Sequence, residues 1–270
     1  MKTLLSILFF LSIGCVPKND ASSLSTSTFC KQIIISEDGD ETVYDFDTKG
    51  QLLTIFGQST SSFYQKGTLS FTLADGSDYV TYDISTTNAD AWIGDKSKKN
   101  GFETFQNFNN NHRIVTATIA ILSNGKIITN DDIKHTYDGN GDASSSSTKR
   151  TSSLGPSGDT QTINSFYTDK LSQFNGHPFQ WLIEENFSAG GHTNAHLTRQ
   201  EDYKTTAKDS QNSVVTIGTI TYANSYDAQG RISKIVKTDI SNTTITDSNG
   251  KISKYPESKK TKTIQFKYNC

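Results

Sequence analysis

No apolar run in these 270 residues is long enough to cross a bilayer. The longest, Leu4 to Ile13, is roughly half of the about 20 residues that a spanning helix needs. Hydrophobic residues make up only 33% of the chain. That is too few for strands buried on both faces and favours sheets with one wet face. A formal net charge of -2 leaves no global electrostatic footprint for nucleic acid. The lysine clusters at Lys96, Lys98 and Lys99 and at Lys259, Lys260 and Lys262 lie in polar, solvated context. Neither a Gly-x-Ser-x-Gly nucleophile elbow nor a phosphate-binding Gly-Lys-Ser/Thr loop occurs. The sequence thus supplies no catalytic residue, and no cofactor is expected.

The start of the chain is more informative. Lys2 precedes the short apolar run, and Ser12-Ile13-Gly14-Cys15 follows its core. One positive charge before a short apolar stretch is the layout of an export signal. The segment ending in Cys15 resembles the bacterial lipobox, with Ser12 where leucine is usual and Leu11 one place earlier. That resemblance implies a signal peptide over 1–14 and acylation of Cys15. Each buried methylene of an acyl chain contributes about 0.8 kcal/mol, so two or more chains hold a protein firmly at a membrane. Residues 15–29 are rich in Ser, Thr, Asp and Asn without apolar periodicity. They read as a flexible tether. A single extracytoplasmic domain over 30–270 follows, placed in the cell envelope, with the outer membrane as the expected site.

Only three cysteines are present. With Cys15 lipidated, Cys30 and Cys270 remain, and in an oxidising compartment an even pair is expected to bridge. Closing so long a loop stabilises by at most roughly 5 kcal/mol in the chain-entropy model. It also requires the first and last strands to be neighbours.

A short pattern recurs: often an aromatic, then Asp, two variable residues, Gly, a polar residue, and Leu or Ile. Phe46-Asp47-Thr48-Lys49-Gly50-Gln51-Leu52 and Tyr226-Asp227-Ala228-Gln229-Gly230-Arg231-Ile232 are full copies. Asp247 to Gly250, the stretch ending in Gly125, and the shorter one ending in Gly67 are weaker ones; Tyr137-Asp138-Gly139-Asn140-Gly141 keeps the front half. Asp can bond the turn's backbone amides, and Gly takes the positive φ that closes a tight hairpin. Flanking segments alternate as half-buried strands do: Ile264, Phe266 and Tyr268 share one face, as do Val80, Tyr82 and Ile84. The fold expected is mainly all-β, an antiparallel hairpin meander forming a bent sheet or open barrel with at most one or two short helices. Pro178 to Glu185 is the one helical candidate. The polar stretch 142–162, with four consecutive serines from Ser144, reads as a long exposed loop.

The Tyr-Asp-x-x-Gly-Arg-Ile turn resembles the YD (RHS-type) repeats of bacterial surface proteins. Together with the lipobox, the cysteine opening the first strand and Gly176-His177-Pro178-Phe179, the chain is similar to uncharacterised YD-repeat-like lipoproteins of Bacteroidota. His177 stands where those carry Asn. The resemblance implies an envelope lipoprotein of antiparallel hairpins and brings no catalytic residues.

Candidates for chemistry are few. His192 and His196 would share a face on a helix or a strand, as zinc ligands do, yet no third ligand accompanies them. Asp138-Gly139-Asn140-Gly141-Asp142 imitates the start of a calcium loop without its closing acid. Glu184 with Glu185, Asp131 with Asp132, and Glu37 with Asp38 are adjacent carboxylates. Strand neighbours point to opposite faces, so adjacency does not make a glycosidase pair. Trp92 and Trp181 are candidate stacking platforms for a sugar or a partner. The reading is a membrane-anchored binding or scaffolding module for polysaccharide or another envelope protein. The rivals are a hydrolase of envelope or dietary polysaccharide and a purely structural surface shell.

Overall fold

A computed structural model describes residues 30–270 apart from 38, 56, 76–77, 176 and 185–193. The chain opens with the hairpin β1 (Gln32–Glu37) and β2 (Asp40–Asp45). Two tiny strands, β3 (Thr54–Ile55) and β4 (Gln58–Ser59), and helix α1 (Ser61–Lys66) then lead into the main meander. Its first half is β5 (Thr68–Asp75), β6 (Asp78–Ser85), β7 (Asn88–Gly94), β8 (Gly101–Phe108), β9 (Ile114–Ser123) and β10 (Lys126–Tyr137). Next come β11 (Ala143–Ser152), β12 (Ser157–Leu171), helix α2 (Gln180–Glu184), β13 (His196–Lys208) and β14 (Asn212–Tyr226). The chain ends with β15 (Ile232–Asp247), the short β16 (Ile252–Lys254) and β17 (Ser258–Asn269).

Consecutive strands from β5 to β15 pair antiparallel, β17 joins β15, and β1 joins β17 with Gln32 opposite Asn269. Cys30 and Cys270 are linked by a disulfide across this junction. Arg231 closes the corner: its guanidinium bonds Asp227, donates to both sulfurs and lies 4.4 Å from the Tyr268 ring centre. Among the described residues the sheet does not close on itself, because its two ends, β2 and β5, are not paired with each other.

One end of the curl is filled. The segment around α2 buries Phe174, Phe179, Trp181, Leu182 and Ile183 against residues from both walls of the sheet. Ile33 and Ile35 (β1), Leu69 (β5), Ile84 (β6), Ala117 (β9), Tyr222 (β14), Ile235 (β15) and Ile264 (β17) all belong to this one cluster. Phe179 contacts the Phe63 ring at 4.7 Å between centres, and Trp181 lies 5.6 Å from Phe108. His177 fastens the segment: its Nδ1 accepts the Phe179 amide, so its Nε2 donates to the Gly50 carbonyl. At the other end the inner face turns polar. Thr148, Thr160, Thr205, Thr216 and Thr243 are register partners across five strands, and two pairs of their hydroxyls meet at 3.0 Å. The outward face carries Asp132, Lys134, Lys149, Lys204, Lys234 and Lys267, which alternate with inward residues. The same face also exposes Phe105, Ile163 and Ile217 among these polar neighbours.

The recurrent turn has one geometry. At Asp47, Asp138, Asp227 and Asp247 the carboxylate accepts amides two and four residues on, and the glycine three residues on bonds back to the aspartate carbonyl. Gly50, Gly141, Gly230 and Gly250 all have φ between 77° and 87°. The Asp138 copy is therefore complete, not half. A fifth copy uses Asn109 as the acceptor and His112, at φ 56°, in the glycine place.

Three expectations are corrected. The 142–162 stretch is not a loop but all of β11, a short turn and the start of β12; its serines and threonines pair across wet strands, where no apolar alternation is needed. Gly67 is the left-handed C-cap of α1, not a hairpin glycine. Gly125 follows Asn124 in a two-residue turn, both at positive φ, as a tight hairpin requires.

His112→Gly is expected to stabilise the fold by about 0.5–1 kcal/mol, since glycine takes this conformation without steric cost. Asp227→Ala is expected to cost about 2 kcal/mol through two orphaned amides and an unpaired Arg231. Urea unfolding of both variants checks this pair.

Candidate functional site

The sheet is irregular where β12 passes β13. Register shifts flank Phe166, and residues between Phe166 and Leu171 leave the ladder. A cleft of about 360 Å³ opens there, lined by Asp138, Asn140, Asp142, Asn164, Ser165, Phe166, Thr168 and His196. The Asp138 turn forms one wall. Gly141 sits at φ 87°, which favours glycine, and packs against the Arg113 guanidinium.

At the cleft's edge, Asp142 grips His196. One carboxylate oxygen accepts the His196 backbone amide at 2.7 Å and the other meets Nδ1 at 2.7 Å. The Asp142 side chain is 3% exposed and that of His196 is 18%. The ring is thus oriented while part of it stays at the surface. Beneath it, Asn194 accepts the Ala143 amide at 2.8 Å and Asn164 donates to the Ala143 carbonyl at 2.5 Å.

A small cavity of about 20 Å³ lies on the inner side of His196, bounded by Ser172, Glu184, Asn194, Tyr222 and Asn224 among others. Glu184 is fully buried; Ser172 donates to one oxygen and Gln180 to the other at 3.0 Å. Burial pushes its carboxyl up to about 7 despite these donors and the nearby Arg113. Glu201, on the inner face of β13, receives the Tyr222 hydroxyl at 2.9 Å, and burial likewise pushes it up to about 7. His135 and His177 are shifted the other way, down to about 4, also by burial.

Neither family models nor curated proteins match this chain. Two of the solved structures similar to it are porin-like proteins. One is a porin-like protein from Bacteroides vulgatus ATCC 8482, with 11% identity, 90% of this chain and 99% of that chain covered, and a TM-score of 0.43. The other is a porin-like protein from Bacteroides uniformis ATCC 8492, with 12% identity, 89% and 98% covered, and a TM-score of 0.43. At this level neither neighbour bears on function.

The residues singled out from sequence are scattered by the fold. Trp92 is 1% exposed, donates to the Asp95 carbonyl at 3.0 Å and fits against Gly94 and Gly101. Trp181 is 7% exposed within the core. Both are packing residues, which removes them as stacking platforms. His196 lines the cleft, whereas His192 and Cys15 lie outside the described residues; among those residues no cluster of three metal-ligating side chains occurs. Asp131 and Asp132 fall on opposite faces, Asp131 held by Arg150 through two bonds at 2.7 and 2.6 Å. Glu37 pairs with Lys262 at 2.5 Å; its sequence neighbour Asp38, like Glu185, lies outside the described residues. The Asp142–His196 pair escaped sequence reasoning because its members are 54 positions apart. Glu201 escaped it too, although its alternation with Tyr203 and Thr205 marks the inner face.

Replacing Glu201 isolates one linkage. Its folded carboxyl titrates above the unfolded value of 4.5, so the native state holds the extra proton between about 4.5 and 7 and loses stability as pH rises through that window. The two histidines oppose this slope between about 4 and 6.5. Glu201→Gln removes only the carboxylate contribution. Relative to the wild type, the variant is expected to gain on the order of 3 kcal/mol from pH 4.5 to 7.5, read by denaturant unfolding at each pH.

Proposed function

We propose that this chain is a lipid-anchored protein of the bacterial envelope that binds a small hydroxyl-rich ligand, a carbohydrate, in the cleft beside His196. The observation that carries the reading is the make-up of the cleft. Asp138, Asn140, Ser165, Thr168 and His196 offer both donors and acceptors around one aromatic ring, Phe166. Ligand sites commonly combine an apolar surface with a few fixed polar groups. The fixing is present: the Asp138 turn is tied by its own amides and His196 by Asp142.

Binding is favoured over hydrolysis by what the carboxylates already do. Asp142 has both oxygens on His196, and Asp138 has one on its turn. The anchor rests on the Leu4 to Cys15 segment. The lysines and carboxylates that face outward support a domain that stands off the membrane. The repeated Asp-x-x-Gly turn supports kinship with the YD-repeat-like lipoproteins. His177, in the place of their Asn, joins the core segment to the first of these turns.

Two experiments test this. Cys15→Ser is expected to release the protein from the membrane fraction and to abolish detergent partitioning; unchanged retention overturns the anchor. A panel of soluble glycans titrated onto the full-length protein is expected to yield at least one that binds. Phe166→Ala and His196→Ala should each weaken that glycan about tenfold, the worth of a stacking contact or a hydrogen bond. No binding across the panel, or binding indifferent to both substitutions, overturns the cleft assignment.

A further inference from the structure

The inner face of the first half of the meander has more apolar surface than its core uses. Leu73, Val80, Ile93, Phe102 and Ile121 are successive register partners on β5 to β9, so they form one row across five strands. The parallel row Leu69, Ile84, Ala89 and Ala117 is buried in the core cluster. Between them, Phe71 and Tyr82 stack at 5.0 Å. The outer row is wet: Ile93 is 41% exposed and Phe102 is 50% exposed. A contiguous apolar row of this kind marks an interaction surface more often than free surface.

This row runs out at β5, and among the described residues the far side of β5 has no strand partner. The two open edges of the sheet are unlike. β2 carries Asp40, Glu41 and Asp45 within six residues, the charge that keeps natural edges apart. From Thr68 to Ala74, β5 has no charge and no proline. One edge is guarded; the other is left ready to pair.

We propose that β5 pairs antiparallel with β5 of a second copy, centred on Phe71, so that the two sheets continue into one. The strand fits itself in this register. Phe71 faces Phe71 of the second copy, Leu69 faces its Leu73, and on the outer face Ser70 faces its Thr72. Charge selects this pairing over the others. Two β2 strands paired in the same symmetric way about Val43 would set Glu41 against Asp45. Pairing β5 with β2 is heterologous and would propagate into open chains instead of closing. The interface is independent of the cleft beside His196.

Sedimentation equilibrium of the full-length protein in density-matched detergent tests it. The wild type is expected to form a dimer that dissociates on dilution. Ser70 and Thr72 are exposed on the outer face, so charges there leave the core intact, as an unchanged far-ultraviolet circular dichroism spectrum would record. Thr72→Lys and Thr72→Glu should each yield monomer. The double variant Ser70→Glu with Thr72→Lys sets opposite charges face to face at both ends of the register, and should restore the dimer. A wild type that is monomeric at every concentration, with or without co-purified lipid, overturns the proposal. So does a dimer unaffected by either single substitution, or a double variant that stays monomeric.

Discussion

The sheet curls because Phe174, Phe179, Trp181, Leu182 and Ile183 have to be enclosed. In a chain only 33% hydrophobic, this segment supplies the bulkiest group of buried side chains outside the strands. Burying five such side chains is worth roughly 10 kcal/mol at the usual area coefficient, an upper figure. No single hairpin can cover them. Strands from both ends of the chain therefore converge on the segment, and Ile33, Ile235, Ile264 and Leu69 meet around it although they are far apart in sequence. The disulfide and the Gln32 to Asn269 register hold the two chain ends at the same place. Without the enclosed segment the meander would have no reason to bend.

Enclosure has an electrostatic cost. The same segment brings Glu184 and Gln180 into the interior, and the strands around it bring Asp142, Asn194 and Glu201. Buried polar groups are tolerated when each finds a partner. Here they find one another: Ser172 and Gln180 serve Glu184, Tyr222 serves Glu201, and Asp142 serves His196. This network is the foundation of the cleft. A His196 held on two sides by one carboxylate cannot swing freely, so the donors and acceptors at the rim keep fixed directions. Binding sites built this way lose little entropy on taking a ligand.

Much of the architecture was legible because it is encoded locally. An aspartate that ties amides two and four residues ahead, with glycine at positive φ, makes its turn almost regardless of context, and such turns imply a meander. The copy at Asn109 to His112 was illegible for the complementary reason: Asn can replace Asp as acceptor and His can occupy the left-handed region, so both letters changed while the geometry stayed. The stretch 142–162 was misread because strand patterns are sought as apolar alternation. Where the open end of the curl is wet on both faces, that alternation has no cause, and hydroxyl pairs such as Thr160 with Thr205 take its place. The cleft was legible only in pieces: His196 and the Asp138 to Asp142 segment each stand out in sequence, but Asp142, just before β11, meets His196 only because β11, β12 and β13 pair side by side.

The two halves of the meander answer the shortage of apolar residues differently. From β12 to β15 the inner face beyond the core is hydroxyl-rich and needs no cover, so those strands run to 13–16 residues. From β5 to β9 the inner face stays apolar beyond the core, and those strands stop at 7 to 10 residues. Length and polarity thus vary together along one sheet. A strand can extend past its core only if water is an acceptable neighbour on both faces. Where it is not, the strand must end early or find another surface. The exposed Ile93 and Phe102 show that the first half has not ended early enough to hide its apolar row. This places the pressure for association on β5 to β9 and leaves the long polar strands free to form the wall that carries the cleft.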